Sequence, residues 1–397
     1  MYFSHTALES QESPIRKFHP YAVRAKAAGK TVYHLNIGQP DIETPPAYLD
    51  ALHHFDEQVL SYAPSPGIPM LIDAIRDYYS GIGVPLNAED VLITTGGSEA
   101  LALVMACILN EGDEIITPEP YYTNYATFAL QRGAVIRPIK SSPEEGYHYA
   151  EKEKLEQALT DKTRAILLTN PGNPCGTVLT RAEMDMIADF VRTHDLWLIA
   201  DEVYREFVYD GEELTSFGQL SGLEDRLILI DSVSKRFSAC GARIGCIISK
   251  NKELIAHALK FCQARLSVAT IDQVLAAELY RSTTQEYFET VRKEYQKRRD
   301  IVMKKLKEIP GVVCECPNGA FYIMAKLPVD DAGKFLVFLL EEFEDHGETV
   351  MFAPGRGFYA TPGMGVSEIR IAYVLKEADL ARAMDLLALG IEAYNKK

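Results

Sequence analysis

No two cysteines in this sequence have Cys-x-x-Cys spacing, although seven are present: Cys107, Cys175, Cys240, Cys246, Cys262, Cys314 and Cys316. An odd, unpaired set argues against a disulfide framework and a zinc site. Cys314 and Cys316 fall on one face of a predicted strand, and no metal is expected there. No uninterrupted apolar run is long enough to span a bilayer, and Met1 to Lys17 has polar and acidic positions where a secretory signal needs an apolar core. The expected location is a reducing cytoplasm. A dense Lys/Arg run is missing too. The most basic region, Arg292 to Lys307, is interleaved with Glu289, Glu294, Asp300 and Glu308, as on a solvated helix face. With a formal net charge of −15, no basic surface for nucleic acid is expected. The Gly-x-x-x-x-Gly-Lys-Ser/Thr phosphate loop is absent, because Arg24 stands where Gly29-Lys30-Thr31 would need its upstream glycine.

What is present is a rhythm. Short apolar runs at Val91–Thr94, Glu114–Thr117, Val135–Ile139, Ala165–Thr169, Trp197–Ala200, Leu227–Asp231 and Ile244–Ser249 read as strands. Helical patterns at Ser98–Leu109, Tyr125–Gln131 and Ala182–Thr193 separate several of them. Continuous apolar strands alternating with helices predict an α/β fold, with a mostly parallel seven-stranded sheet covered on both faces. After about Ile271 the pattern changes. An amphipathic run at Gln285–Glu308, strands at Val312–Cys316, Ala320–Ala325, Thr349–Phe352 and Glu368–Val374, and helices at Ala332–His346 and Glu377–Tyr394 predict a smaller α+β domain. Upstream, Val32–Ile37 reads as a strand that runs into the turn Gly38-Gln39-Pro40-Asp41. The 397 residues thus divide into an N-terminal arm with part of the small domain (1–45), a large domain (46–285) and a small C-terminal domain (286–397).

Open parallel sheets bind ligands beyond the carboxyl ends of their strands. Five strand ends here are followed by polar, glycine-rich or aromatic residues: Thr95-Gly96-Gly97-Ser98-Glu99, Pro118-Glu119-Pro120-Tyr121-Tyr122, Asn170-Pro171-Gly172-Asn173, Asp201-Glu202-Val203-Tyr204 and Ser232-Val233-Ser234-Lys235. The first of these turns opens a helix and suits an anion; it also reads as an ordinary N-cap with Glu99 supporting the first turn. Asp201 is either a turn aspartate or a buried carboxylate that needs a cationic partner. Lys235 is either a loop lysine or an amine in low-dielectric surroundings, able to form a Schiff base. Arg243 and Arg370, beside apolar strands, suit a carboxylate or phosphate.

Taken together, Ser232-x-Ser234-Lys235 with Arg243 eight residues on, Asn173-Pro174-Cys175-Gly176, Asp201-x-x-Tyr204, Gly96-Gly97-Ser98, Gly38-Gln39-Pro40-Asp41, Asn318-Gly319-Ala320-Phe321-Tyr322 and Arg370 resemble the class I/II pyridoxal-phosphate aminotransferases of fold type I, in the same order and over nearly the whole chain. The resemblance implies that Lys235 carries pyridoxal 5′-phosphate as a Schiff base and then moves the proton between the amino acid's Cα and the cofactor. It implies Asp201 at the pyridine nitrogen and Tyr204 and Asn173 at the ring hydroxyl oxygen. Gly97, Ser98, Ser232, Ser234 and Arg243 would grip the phosphate, with Glu99 in the same turn. Tyr122 stands where the family often stacks a tryptophan, and Arg370 would clamp the substrate α-carboxylate with Gly38 and Asn173 beside it. Tyr62 resembles the tyrosine that reaches the phosphate of a second subunit, which implies a homodimer. No residue matches the family's arginine for a distal carboxylate, leaving Arg16, Arg265 and Arg356. The implied reaction is a two-half-reaction transfer between an L-amino acid and a 2-oxo acid, aspartate and 2-oxoglutarate first. A β-lyase or racemase on the same residues is the alternative. Ser232-x-x-Lys235 also fits an acyl-transfer enzyme, but no Ser-Asp-Asn or Lys-Thr-Gly follows.

Overall fold

A computed structural model describes residues 1–212 and 215–397. Its strands are β1 (Thr31–His34), β2 (Val91–Thr94), β3 (Glu114–Glu119), β4 (Val135–Lys140), β5 (Thr163–Thr169), β6 (Trp197–Asp201), β7 (Leu227–Ser232), β8 (Gly245–Ile248), β9 (Tyr322–Lys326), β10 (Glu348–Met351), β11 (Ala353–Pro354) and β12 (Glu368–Ala372). Seven of them form one sheet in the order β2-β8-β7-β6-β5-β3-β4. All run parallel except β8, which is antiparallel to β2 and β7.

The apolar runs are continuous because successive side chains enter opposite cores. Ile115, Leu167, Ile199 and Ile228 pack with the helices Gly96–Ile108 and Lys252–Arg265. Their neighbours Ile116, Ile166, Leu198 and Leu229 pack with Pro69–Gly81 and Arg181–Thr193 on the other face. The α/β sheet expected from the sequence is therefore present, with its parallel strands ending at one rim.

A smaller α+β body joins the antiparallel set β11-β12-β9 to the helices Gln285–Lys307, Ala332–Glu341 and Glu377–Asn395. The N-terminal segment belongs to its core through Phe18, Ala22, Val32 and Leu35, and β1 pairs in parallel with β10, Val32 opposite Thr349. Two expectations fail here. Val312–Cys316 is not a strand: Val313 exchanges one bridge with Lys326. The chain then leaves the sheet edge, because the N–H groups of Gly319 and Ala320 are drawn to the carbonyls of Gly176 (2.8 Å) and Phe207 (2.9 Å). The helix expected to reach His346 stops at Glu341; His346 (φ 52°) and Gly347 (φ 75°) make the left-handed turn that starts β10.

Candidate active site

A cavity of about 580 Å³ lies at the rim where β2, β3, β5, β6 and β7 end, and the smaller body closes its other side. All five strand ends singled out in the sequence contribute to it. Gly97, Ser98, Tyr122, Asn173, Asp201, Tyr204, Ser232, Ser234, Lys235 and Arg243 line it, joined by Gly38, Arg370 and Arg16.

The segment between β7 and β8 carries both the amine and an arginine. Ser232 caps the short turn Val233–Arg236, its Oγ accepting from the Ser234 N–H (3.0 Å) and donating to Ser234 Oγ (2.7 Å). This turn delivers Lys235, whose Nζ donates to the Gly38 carbonyl (2.9 Å), with Cys240 Sγ 3.7 Å away. Gly38 must lack a side chain, since a Cβ there would stand 1.8 Å from Tyr322 Oη. Because β8 returns antiparallel, Arg243 sits at the same rim in a left-handed conformation (φ 55°) beside Gly96, where a Cβ would come within 2.6 Å of an Arg243 nitrogen. The helix Gly96–Ile108 points its N-terminus at this place, with no side-chain cap. Free N–H groups, a helix dipole, two serines and an arginine form a cradle for a phosphate.

Also lining the cavity, Asp201, 5% exposed, makes no ion pair among the described residues. It accepts hydrogen bonds from Tyr125 Oη (2.8 Å) and, more weakly, from the Val203 N–H (3.4 Å). Burial pushes its carboxyl up to about 6, partly offset by the Tyr125 hydrogen bond. The residue fits a cationic ring nitrogen, which would pull that value back down. With its folded value above an unfolded value of about 4, Asp201 contributes stability that is fully present below pH ~4 and lost as pH rises through ~6, on the order of 2–3 kcal/mol. Urea denaturation of the cofactor-free protein between pH 4 and 7 is expected to show that slope, and Asp201→Asn to remove it.

On the opposite wall Arg370, 2% exposed, donates to Asn173 Oδ1 (3.1 Å) and to the Asn36 carbonyl (2.7 Å), and its guanidinium lies over the rings of Tyr322 (4.5 Å) and Phe358 (5.0 Å). Its Nε is buried without a partner. Asn173 Nδ2 donates to Tyr204 Oη (3.3 Å), which meets Tyr322 Oη (2.9 Å). Burial raises the Tyr204 hydroxyl well above its usual range and Tyr122 to about 12.

Other expected residues lie elsewhere. Glu99 is not on the cavity wall; it accepts from the Thr95 N–H (2.6 Å) and pairs with Arg265 (3.6 Å). Arg265 is itself held by the carbonyls of Ser65 and Ile93, and Arg356 by Asp331 (2.8 Å); neither lines the cavity. Tyr62 is 80% exposed and away from the cavity of its own chain. Tyr125, Thr169 and Tyr322 line the cavity without having been assigned a role from sequence. Tyr322 lay inside a motif already noted, and Tyr125 three residues beyond Tyr122. No group of three or more His, Cys, Asp or Glu side chains among the described residues is placed to hold a metal, and no helix among them is long and apolar enough to cross a membrane.

The family model for aminotransferase class I and II matches residues 30–387. The chain belongs to that family. An aspartate aminotransferase of Pyrococcus horikoshii is 30% identical over 367 residues, covering 91% of each chain. An aromatic-amino-acid aminotransferase of Thermococcus litoralis is 31% identical over 362 residues, covering 88% of this chain and 89% of the relative. A solved single mutant of Thermus thermophilus aspartate aminotransferase superposes with a TM-score of 0.89 at 28% identity, covering 98% of this chain and 100% of that one. The chain is thus an aminotransferase of aspartate-aminotransferase-like fold. Aminotransferases of this family use pyridoxal phosphate, and the relatives are named for different amino acids.

Proposed function

We propose that this aminotransferase binds pyridoxal 5′-phosphate in the cavity and moves the amino group of an L-amino acid, aspartate first, to a 2-oxo acid, 2-oxoglutarate first, in two half-reactions. The observation that carries the reading is Asp201: a carboxylate buried with no ion pair among the described residues, lining the same cavity as an amine and a phosphate cradle. When bound, the cofactor supplies the electron sink for a carbanion at the substrate Cα. Asp201 holds the ring nitrogen charged, and Tyr204 and Asn173 hold the ring oxygen. Tyr122 would cover the ring, while Gly97, Ser98, Ser232, Ser234 and Arg243 would hold the phosphate. Arg370 takes the α-carboxylate through the terminal N–H groups not engaged by Asn173 and the Asn36 carbonyl. Lys235, aimed by Gly38, takes and returns the proton at Cα.

Arg16 supports the choice of a dicarboxylic substrate. Of the three arginines considered, it alone lines the cavity; it is exposed and makes no ion pair within the described residues. With Arg243 assigned to phosphate and Arg370 to the α-carboxylate, a further cation matches a second carboxylate. Arg16→Gln is expected to lower kcat/KM for aspartate by ~10–100-fold and for alanine by less than about threefold. Equal losses for both substrates would reject Arg16 as the reader of the side chain. The reaction itself is tested by adding single amino acids to the purified holoenzyme: the donor shifts its visible absorption and 2-oxoglutarate restores it. Release of pyruvate and ammonia without an acceptor would instead mark a lyase.

The reading includes a homodimer. Tyr62 stands beside exposed Val59 (73%) and Leu60 (59%), an apolar strip suited to a second copy, across which Tyr62 reaches the partner's phosphate cradle.

A further inference from the structure

Glu119, the last residue of β3, has no exposed surface and no ion pair among the described residues. Its carboxylate collects three donors from a single place in the smaller body: the N–H groups of Ala360 (3.1 Å) and Thr361 (3.0 Å) on Oε2 and the Thr361 hydroxyl (2.6 Å) on Oε1. Two residues on, the Tyr121 N–H donates to the Phe358 carbonyl (2.9 Å). The end of a strand one in from the sheet's edge is thereby fastened to the segment 355–361 between β11 and β12. A charge taken out of water is costly unless fully hydrogen-bonded, and bonds to a carboxylate are stronger than neutral ones. Displacing this segment would strand that charge, so its position is steeply defined.

The segment carries parts of the site. Phe358, fully buried, backs the Arg370 guanidinium at 5.0 Å. Gly357 lies against Pro14, so closely that a Cβ would fall 2.1 Å from Pro14 Cβ. Pro14 lies between Ser13 and Ile15, both of which line the cavity. Glu119 itself does not line it. We propose that Glu119 is a positioning residue for substrate: a latch that holds Phe358 against Arg370, and so sets the guanidinium that receives the α-carboxylate. This rests on Arg370 as the α-carboxylate clamp.

Glu119→Gln keeps the size and one carbonyl acceptor but removes the charge. Its KM is expected to rise about tenfold for the amino donor and the 2-oxo acid, by the same factor for aspartate and for a monocarboxylic donor, with kcat within about threefold. The Kd for pyridoxal phosphate, read by fluorescence titration, stays at the wild-type value, and hydrogen exchange of the amides in 355–361 accelerates. Thr361→Val, which removes only the hydroxyl bond, moves the same quantities in the same direction by a smaller factor and decides the matter alone if the glutamine variant does not fold. Arg370→Lys serves as the control. If it raises KM while the Glu119 and Thr361 variants do not, the latch is wrong and the clamp stands. If it leaves KM unchanged, the clamp fails and the latch with it. Loss of cofactor affinity in proportion to substrate affinity also overturns the proposal.

Discussion

Alanine at Lys235 is expected to lower kcat by ~10⁴-fold or more, because one side chain is removed from two tasks, nucleophile and general base. The cavity holds one amine, and it is held by its turn. Ser232 caps the Val233–Arg236 segment, and Gly38 accepts from Nζ at 2.9 Å. The fold does not need the amine: the neighbouring Arg236 anchors the same turn through its buried pair with Asp231 (2.5 Å). The variant should therefore keep its circular dichroism spectrum and its cooperative melt. Added methylamine is expected to return a small fraction of turnover, since it replaces the lost base without its tether. Lys235→Arg, which restores the charge but not a readily lost proton, should stay as inactive as alanine. Turnover within tenfold of wild type in either variant would remove Lys235 from the chemistry.

Asp201→Asn is the second large effect, with an expected loss of ~10³-fold in kcat/KM. Asparagine has the same shape and still accepts from Tyr125 Oη, so packing is conserved. What disappears is the negative charge at a buried position, where an opposite charge is screened little. The proposed cationic ring nitrogen would lose its counter-charge, and cofactor affinity is expected to fall by ~10–100-fold alongside turnover. Asp201→Glu keeps the charge but lengthens the side chain against Tyr125, and should recover affinity better than rate. A variant Asp201→Asn with wild-type kcat/KM would show that the carboxylate is structural.

Much of the site was readable because the sheet converts sequence position into spatial position. Each parallel strand runs to the same rim, so the residues after Thr94, Glu119, Thr169, Asp201 and Ser232 converge whatever their separation along the chain. Arg370 was legible as an anion-binding arginine beside an apolar strand, but its role at the α-carboxylate came only from the resemblance. Glu99 had two readings because the turn that suits an anion is also an ordinary helix start, and its carboxylate closes that start on Thr95. Val312–Cys316 misled for another reason: its β-branched and thiol side chains favour an extended chain, but a strand also needs a partner, and only Val313 found one. The three distal-carboxylate arginines were equivalent by composition. Their partners separate them, with Arg265 and Arg356 already engaged.

The antiparallel return of β8 has a consequence for how a two-stage reaction can be run. It places Lys235 and Arg243 on one short connection between neighbouring strands of the sheet, while Gly38, Arg370 and Arg16 come from the smaller body and its N-terminal arm. The groups proposed to retain the cofactor thus lie mainly on the sheet's rim, and those proposed to admit substrates, Asn173 apart, on the smaller body and the arm. Under that assignment a 2-oxo acid can leave and the next substrate enter without any group proposed for the phosphate having to let go.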